Sequence, residues 1–329
     1  MKKITAIITA AVMLMSCLCG CGANTALNEN ENSLNIVTTI FPEYDWVMNI
    51  LGDKANKAQV TMLLDNGVDL HSYQPTAQDI MKISTCDLFI YVGGESDEWV
   101  EDALKEATNK DMKVINLLDV LGEKVKEEEI VEGMEAEEEQ EESEESEEEE
   151  PEYDEHVWLS LKNAQICCDV ICEKICEADA DNAEAYISNT KEYNKKLSDL
   201  DGQYKSTVDG AKYNTLLFGD RFPFRYMTDD YGLDYYAAFV GCSAETEASF
   251  ETIVFLSKKT DELTLPAIMT IEGAEHKIAE TIRDNTNNKD QKILTLDSMQ
   301  SVTSDDVKKS VTYISIMESN LSVLKEALN

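Results

Sequence analysis

Asn182-Ala-Glu-Ala-Tyr-Ile-Ser-Asn-Thr-Lys-Glu-Tyr-Asn-Lys-Lys-Leu-Ser-Asp-Leu-Asp-Gly-Gln-Tyr204 repeats apolar residues at helical spacing over about six turns. What lies on each side of this long helix decides the fold. Before it, residues 35–40, 58–64, 88–92 and 113–117 read as buried strands. Helical stretches separate them: one opens at Phe41-Pro-Glu-Tyr44 and carries Trp46 to Leu51, and another follows Gly93-Gly94 and contains Trp99. A third starts at Thr76-Ala-Gln-Asp79, where Thr caps the helix and Asp stands three residues on. Residues 163–176 form a further helix. After the long helix the grammar repeats, with strands at 214–218, 234–239, 267–271 and 293–296. Helices fall at 224–231, 249–259 and 274–284, and a last one begins at Ser304. Strands alternating with helices build parallel sheets. The expected fold is therefore α/β: two βα lobes with parallel sheets, joined by a long backbone helix. Ligands bind at the carboxyl ends of such strands, and two sets of loops would face each other here. The expected boundaries are 34–181 for the first lobe, 182–210 for the linking helix and 211–329 for the second lobe.

A chain of 329 residues with a hydrophobic share of 43% suits two lobes of ordinary size. Its net charge of -38 argues against nucleic acid and anionic lipid headgroups as partners. Cations are the natural partners of such a field.

Residues 1–20 read as a signal peptide. Met1-Lys2-Lys3 is a positive start, and the apolar run from Ile4 to Met15 is too short to span a bilayer. It ends in Leu18-Cys-Gly-Cys21, which resembles the lipobox of bacterial lipoproteins; Leu14-Met-Ser-Cys17 is a second candidate. In that pattern Cys21 takes the lipid and becomes the first residue. No later apolar run approaches 18 residues, so the expectation is a lipid-anchored protein on the extracytoplasmic face of the cell membrane. Residues 21–33 would be a flexible tether.

Residues 123–155 hold 20 acidic residues against two lysines, and we expect a disordered insertion that gathers cations weakly. Cys168, Cys172 and Cys176 fall at i, i+4 and i+8, one stripe of a helix, which reads as core packing rather than a thiolate site. Cys86 precedes a buried strand and reads the same way.

Only three histidines occur, and two stand in marked phrases. His71 lies in Gly67-Val-Asp-Leu-His-Ser-Tyr-Gln-Pro-Thr76, and His156 in Asp154-Glu-His-Val-Trp-Leu-Ser-Leu-Lys-Asn-Ala164. Imidazole is the commonest metal-binding side chain, so these phrases point to capture of a transition metal. His276 stands one turn into a helix and reads as a surface or supporting residue. Tyr73 and Trp158 read as packing around the site.

The order of lipobox, strand plus Phe-Pro, Gly-x-x-x-His-Ser-x-x-Pro-Thr, charged insertion, His-x-Trp-Leu-x-x-x-Asn-Ala, long helix and second lobe resembles the zinc/manganese-binding lipoproteins of ABC importers, the ZnuA/TroA-like group. The resemblance covers the whole mature chain. It implies a metal held between the lobes and a loaded monomer that docks onto an ABC permease. By position it implies His71 and His156 as ligands, with Asp297 in Thr295-Leu-Asp-Ser-Met and Glu272 in Thr270-Ile-Glu-Gly273 as acidic partners. Members carry His or Glu after the strand that opens the second lobe. Here Leu217-Phe-Gly-Asp-Arg-Phe222 puts Gly219 there, beside Asp220 and Arg221.

Zinc asks for about four ligands near tetrahedral. With His71, His156 and Asp297 as three, the fourth is open among Glu272, Asp220, Glu245, Cys242 and water. Two imidazoles favour Zn2+ over calcium or magnesium, with Mn2+ as the alternative cargo. Asp297 and Glu272 have a plainer reading as caps of the segments that follow them. A surface adhesin of the same fold with a degenerate site is the competing function. An enzyme is not expected, because no nucleophile–base pair and no phosphate-cradling glycine loop is present.

Overall fold

The computed structural model describes residues 33–135, 152–243, 247–273 and 276–329. The signal peptide and most of the tether, including Cys21, and residues 136–151 of the acidic insertion lie outside them. In the first half, β1 (Leu34–Thr38), α1 (Phe41–Leu51), β2 (Ala58–Met62), α2 (Ala77–Thr85), β3 (Leu88–Tyr91), α3 (Trp99–Lys105), β4 (Lys113–Asn116) and α4 (Leu117–Leu121) alternate in order. Two long helices follow, α5 (Leu161–Ala178) and α6 (Ala183–Asp209). The second half repeats the pattern with β5 (Thr215–Phe222), α7 (Arg225–Tyr231), β6 (Asp234–Val240), α8 (Phe250–Leu263), β7 (Ala267–Ile271), α9 (Lys277–Asn285) and β8 (Lys292–Leu296). It ends in α10 (Ser304–Lys308) and α11 (Tyr313–Ala327). The single C-terminal helix expected from Ser304 is thus two, broken where Ser310 turns to φ 69.

The two sheets have the same strand order, β2-β1-β3-β4 and β6-β5-β7-β8, and every pairing is parallel. Parallel strands are covered on both faces and so read as continuous apolar runs. Ile36, Val37, Leu88, Phe89 and Ile90 are accordingly buried. In both sheets the connection reverses direction beside the first strand, which opens a crevice at the carboxyl ends.

α6 is the 27-residue helix expected from the sequence. It buries Tyr186, Thr190, Tyr193, Leu197, Leu200 and Tyr204 along one stripe. The Tyr193 hydroxyl donates to Asp45 on α1 at 3.1 Å, and that of Tyr204 to the Met317 carbonyl on α11 at 2.6 Å. One helix therefore braces elements from both ends of the chain. Residues 34–329 form one compact unit, with a continuous apolar core drawn from both halves. Cys167, Cys168 and Cys172 sit in that core on α5, and Cys86 is buried beside β3. The six described cysteines are free thiols.

The acidic insertion differs from expectation at its edges. Residues 123–135 and 152–155 take defined positions, because their backbone groups find partners. Glu127 bridges Tyr153 in antiparallel fashion, and Asp154 N–H donates to the Lys126 carbonyl at 2.9 Å. Further on, Glu135 N–H donates to Ala238 on β6, the open edge of its sheet, at 2.9 Å. Arg225 pairs with Glu129 at 2.6 Å, and Met134 is buried.

Candidate metal centre

His71 stands in the loop after β2. Asp69 caps a single 3-10 turn, Leu70–Ser72, by accepting the His71 N–H at 3.1 Å, while buried Leu70 anchors the loop. His156 lies on the return from the insertion and is fully buried. Its backbone N–H and its ring Nδ1 both meet Asp154 Oδ1, at 2.8 and 2.9 Å. The two rings converge across 85 residues of sequence, with Nε2 of one 3.2 Å from Nε2 of the other. Two nitrogens bound to one tetrahedral zinc, each at 2.0–2.1 Å, would stand about 3.3 Å apart.

Cys242 joins them. Its Sγ and one nitrogen of each ring all lie within 4.8 Å of one another, the only such group of three metal-binding side chains among the described residues. Cys242 sits on the turn after β6, where its N–H donates to Glu128 Oε1 at 3.4 Å. Gly241 makes this approach possible: a Cβ there would sit 3.0 Å from His156 Cε1. Gly94 plays a similar part at φ +83, because a Cβ would lie 2.3 Å from Glu155 Oε1.

The outward-facing ring nitrogens are held by polar groups. His71 Nδ1 lies 2.8 Å from Ser96 Oγ and 3.4 Å from Glu155 Oε2, and Glu155 Oε1 accepts the Ser96 N–H at 2.9 Å. A metal-binding imidazole commonly donates its second N–H to such a carboxylate, which fixes the tautomer and turns the other nitrogen towards the ion. Burial acts most strongly, to depress His156, but the carboxylates of Asp154, Glu155 and Asp69 together outweigh it and raise its pKa. Burial acts to raise Glu155, yet contact with His71 and Ser96 holds it below the usual carboxylate range. Burial pushes the Cys242 thiol well up, and Glu128 and Asp154 add to the effect. An ion must therefore displace a proton from that sulfur.

The three predicted carboxylates do not join this group. Asp220 accepts the N–H groups of Arg221 and Ile271, at 2.9 and 3.2 Å, tying β5 to the end of β7. Glu272 accepts from Ser298 N at 2.6 Å, Ser298 Oγ at 2.7 Å and Gln300 N at 3.1 Å. It braces the loop after β8. Asp297 Oδ1 accepts the Met299 N–H at 2.8 Å. Both oxygens of Asp220 and of Glu272, and Oδ1 of Asp297, are engaged by neighbouring backbone and side-chain groups, which strand-end carboxylates satisfy readily. Glu245 lies outside the described residues, and His276 stands at the N-terminal end of α9, close enough to Asp220 to act on its charge.

Gly219 packs against α9. A Cβ on it would lie 2.5 Å from the Ala279 Cα of α9, so no side chain fits there. Between Phe218 and Arg221, β5 gains one residue on β6, a bulge of the kind that re-aims side chains. Beyond it Arg221 reaches Asp69 at 2.7 Å and the Ser243 carbonyl at 3.2 Å. Arg221 thus fastens the Cys242 turn to the His71 loop. Asp154, Glu155 and Ser96 were not singled out from the sequence, although the first two adjoin His156.

A family model described as the periplasmic component A of a zinc-uptake complex, ZnuA, matches residues 36–327. The chain belongs to this family. Its members are solute-binding components of zinc uptake, not enzymes. The high-affinity zinc uptake system protein ZnuA of Bacillus subtilis is 32% identical over 322 residues, covering 98% of this chain and 96% of that one. The zinc-binding lipoprotein AdcA of Streptococcus pneumoniae is 29% identical over 99% of this chain, which spans only 61% of AdcA. Among solved structures, the Zn(II)-bound ZnuA-like domain of S. pneumoniae AdcA aligns at TM-score 0.69 with 28% identity, over 90% of this chain and 99% of that domain. The laminin-binding protein Lmb of Streptococcus agalactiae aligns at TM-score 0.71 with 20% identity, over 90% of this chain and 100% of its own, and shares the fold.

Proposed function

We propose that this ZnuA-family protein captures zinc outside the cytoplasmic membrane, anchored there by lipid on Cys21, and hands it as a monomer to an ABC import permease. The observation that carries the reading is the convergence of His71 and His156, whose Nε2 atoms lie 3.2 Å apart with carboxylates holding their outer nitrogens. Relatives named for zinc uptake and zinc binding favour Zn2+ over Mn2+ as cargo. The likeness to Lmb concerns fold alone and lends the adhesin alternative no support.

The decisive experiment titrates zinc into the purified mature chain and its His71→Ala and His156→Ala variants by calorimetry. Each variant should lose roughly 100-fold or more in affinity, since it removes one of a few ligands. Equal affinity in all three proteins would remove the site. In cell fractionation, Cys21→Ala should move the protein out of the membrane fraction; continued membrane association would refute the anchor.

A further inference from the structure

We infer that Cys242 supplies the third ligand of the cargo ion as a thiolate, and that this sulfur restricts the cargo to zinc and softer thiophilic divalent ions, excluding manganese. The inference rests on the capture site proposed above and adds its donor set and selectivity.

Geometry selects the residue. Cys242 Sγ shares the 4.8 Å cluster with both imidazoles, whereas no carboxylate of the described residues does. The other described cysteines belong elsewhere: Cys86, Cys167, Cys168 and Cys172 are core residues, and Cys176 lies one turn beyond Cys172 on α5. Cys242 alone among them stands at the carboxyl end of a strand, in the crevice. The turn that carries it is fixed from three sides. Glu128 accepts the Cys242 N–H, Arg221 donates to the Ser243 carbonyl, and Gly241 lets the backbone lie against the His156 ring.

Chemistry then sets the selectivity. Two imidazoles and a thiolate make a nitrogen–sulfur site, which suits zinc and softer metals, while manganese prefers carboxylate, carbonyl and water oxygens. Asp220, Glu272 and Asp297 stand outside the cluster, with both oxygens of the first two and Oδ1 of the third held by neighbouring groups, so the donors gathered around both imidazoles include sulfur and no carboxylate. Binding breaks the S–H bond, forms the metal–sulfur bond and releases that proton to solvent. Three protein ligands leave a position for water or for a group of the receiving permease.

The test uses cobalt as a spectroscopic stand-in and compares the unmodified mature protein with Cys242→Ser and His71→Ala. Cobalt on the unmodified protein should give a sulfur-to-metal charge-transfer band in the near ultraviolet, absent from Cys242→Ser. Zinc affinity of Cys242→Ser should fall at least about tenfold. Manganese should fail to displace zinc at a thousandfold excess, whereas cadmium should compete. Zinc should also shield Cys242 of the unmodified protein from alkylation, read by peptide mass mapping, which needs no variant to fold. An unchanged cobalt spectrum and zinc affinity in Cys242→Ser, together with loss of binding in His71→Ala, would overturn the thiolate while leaving zinc capture standing. Effective competition by manganese, or equal alkylation with and without zinc, would overturn it too. Binding unaffected by either substitution would end both claims.

Discussion

At the scale of single residues, buried carboxylates do much of the positioning. Glu43 is fully buried on α1, where its Oε2 accepts from Thr39 N at 2.8 Å, Thr39 Oγ at 3.1 Å and Ile40 N at 3.3 Å. Burial, with Asp97 adding to it, raises its pKa to about 8. The native state therefore holds a proton that the unfolded chain releases near pH 4.5. This contribution to stability is complete below that pH and is lost as pH rises through about 8. Urea unfolding should show stability falling between pH 5 and 8, with Glu43 contributing up to about 1.4 kcal/mol per pH unit. Glu43→Gln should flatten that fall; an unchanged slope would show that Glu43 does not carry the proton. The same habit explains what the sequence hid about the site. His71 and His156 were legible because imidazole is scarce here and both phrases are marked. Asp220, Glu272 and Asp297 were harder to read, because a carboxylate after a strand looks alike whether it faces an ion or, as all three do here, accepts from backbone N–H groups. Cys242 stood among several candidates for one position, and only the fold brings its turn over the His156 ring.

At the scale of elements, alternation of apolar strands and helices placed all eight strands to within a few residues, and Thr76 caps α2 through Asp79 as its sequence suggests. β5 departed most, running to Phe222 instead of ending at Phe218. Glycine and two charged residues usually end a strand, but here the bulge at Gly219 and Asp220 lets pairing with β6 resume. Gly219 also permits α9 to lie against β5. Gly219→Ala should cost about 1–3 kcal/mol, because its Cβ would meet backbone rather than a movable side chain. Thermal unfolding checks this. An unshifted midpoint would show that α9 can retreat, and zinc affinity of the folded variant should stay unchanged.

At the scale of the whole molecule, two repeated βα blocks were legible, but their union into one unit was not. Trp158, two residues after His156, donates to the Ser298 carbonyl at 2.8 Å and accepts from the Tyr313 hydroxyl at 2.6 Å. Tyr313 in turn meets Trp46 edge-on, with ring centroids 5.4 Å apart. Contacts spanning 155 residues leave no local periodicity to read. The acidic stretch was misjudged at its edges for a related reason: composition reports solubility, whereas the pairing of Lys126 with Asp154 and of Glu135 with Ala238 is set by distant backbone. Each fastening joins a residue before position 136 to one after position 151, so a site-specific protease sequence inserted between residues 136 and 151 would leave both in place when cut. A chain nicked there should run as two bands under denaturing conditions, yet migrate as one particle natively and titrate with zinc as before. Separation of the pieces, or loss of zinc binding, would show that continuity of the chain is required. The clasp on β6 thus ties the acidic stretch at Glu135 to the second sheet through backbone groups, so the charge it carries is delivered to the rim of that sheet whatever side chains flank it.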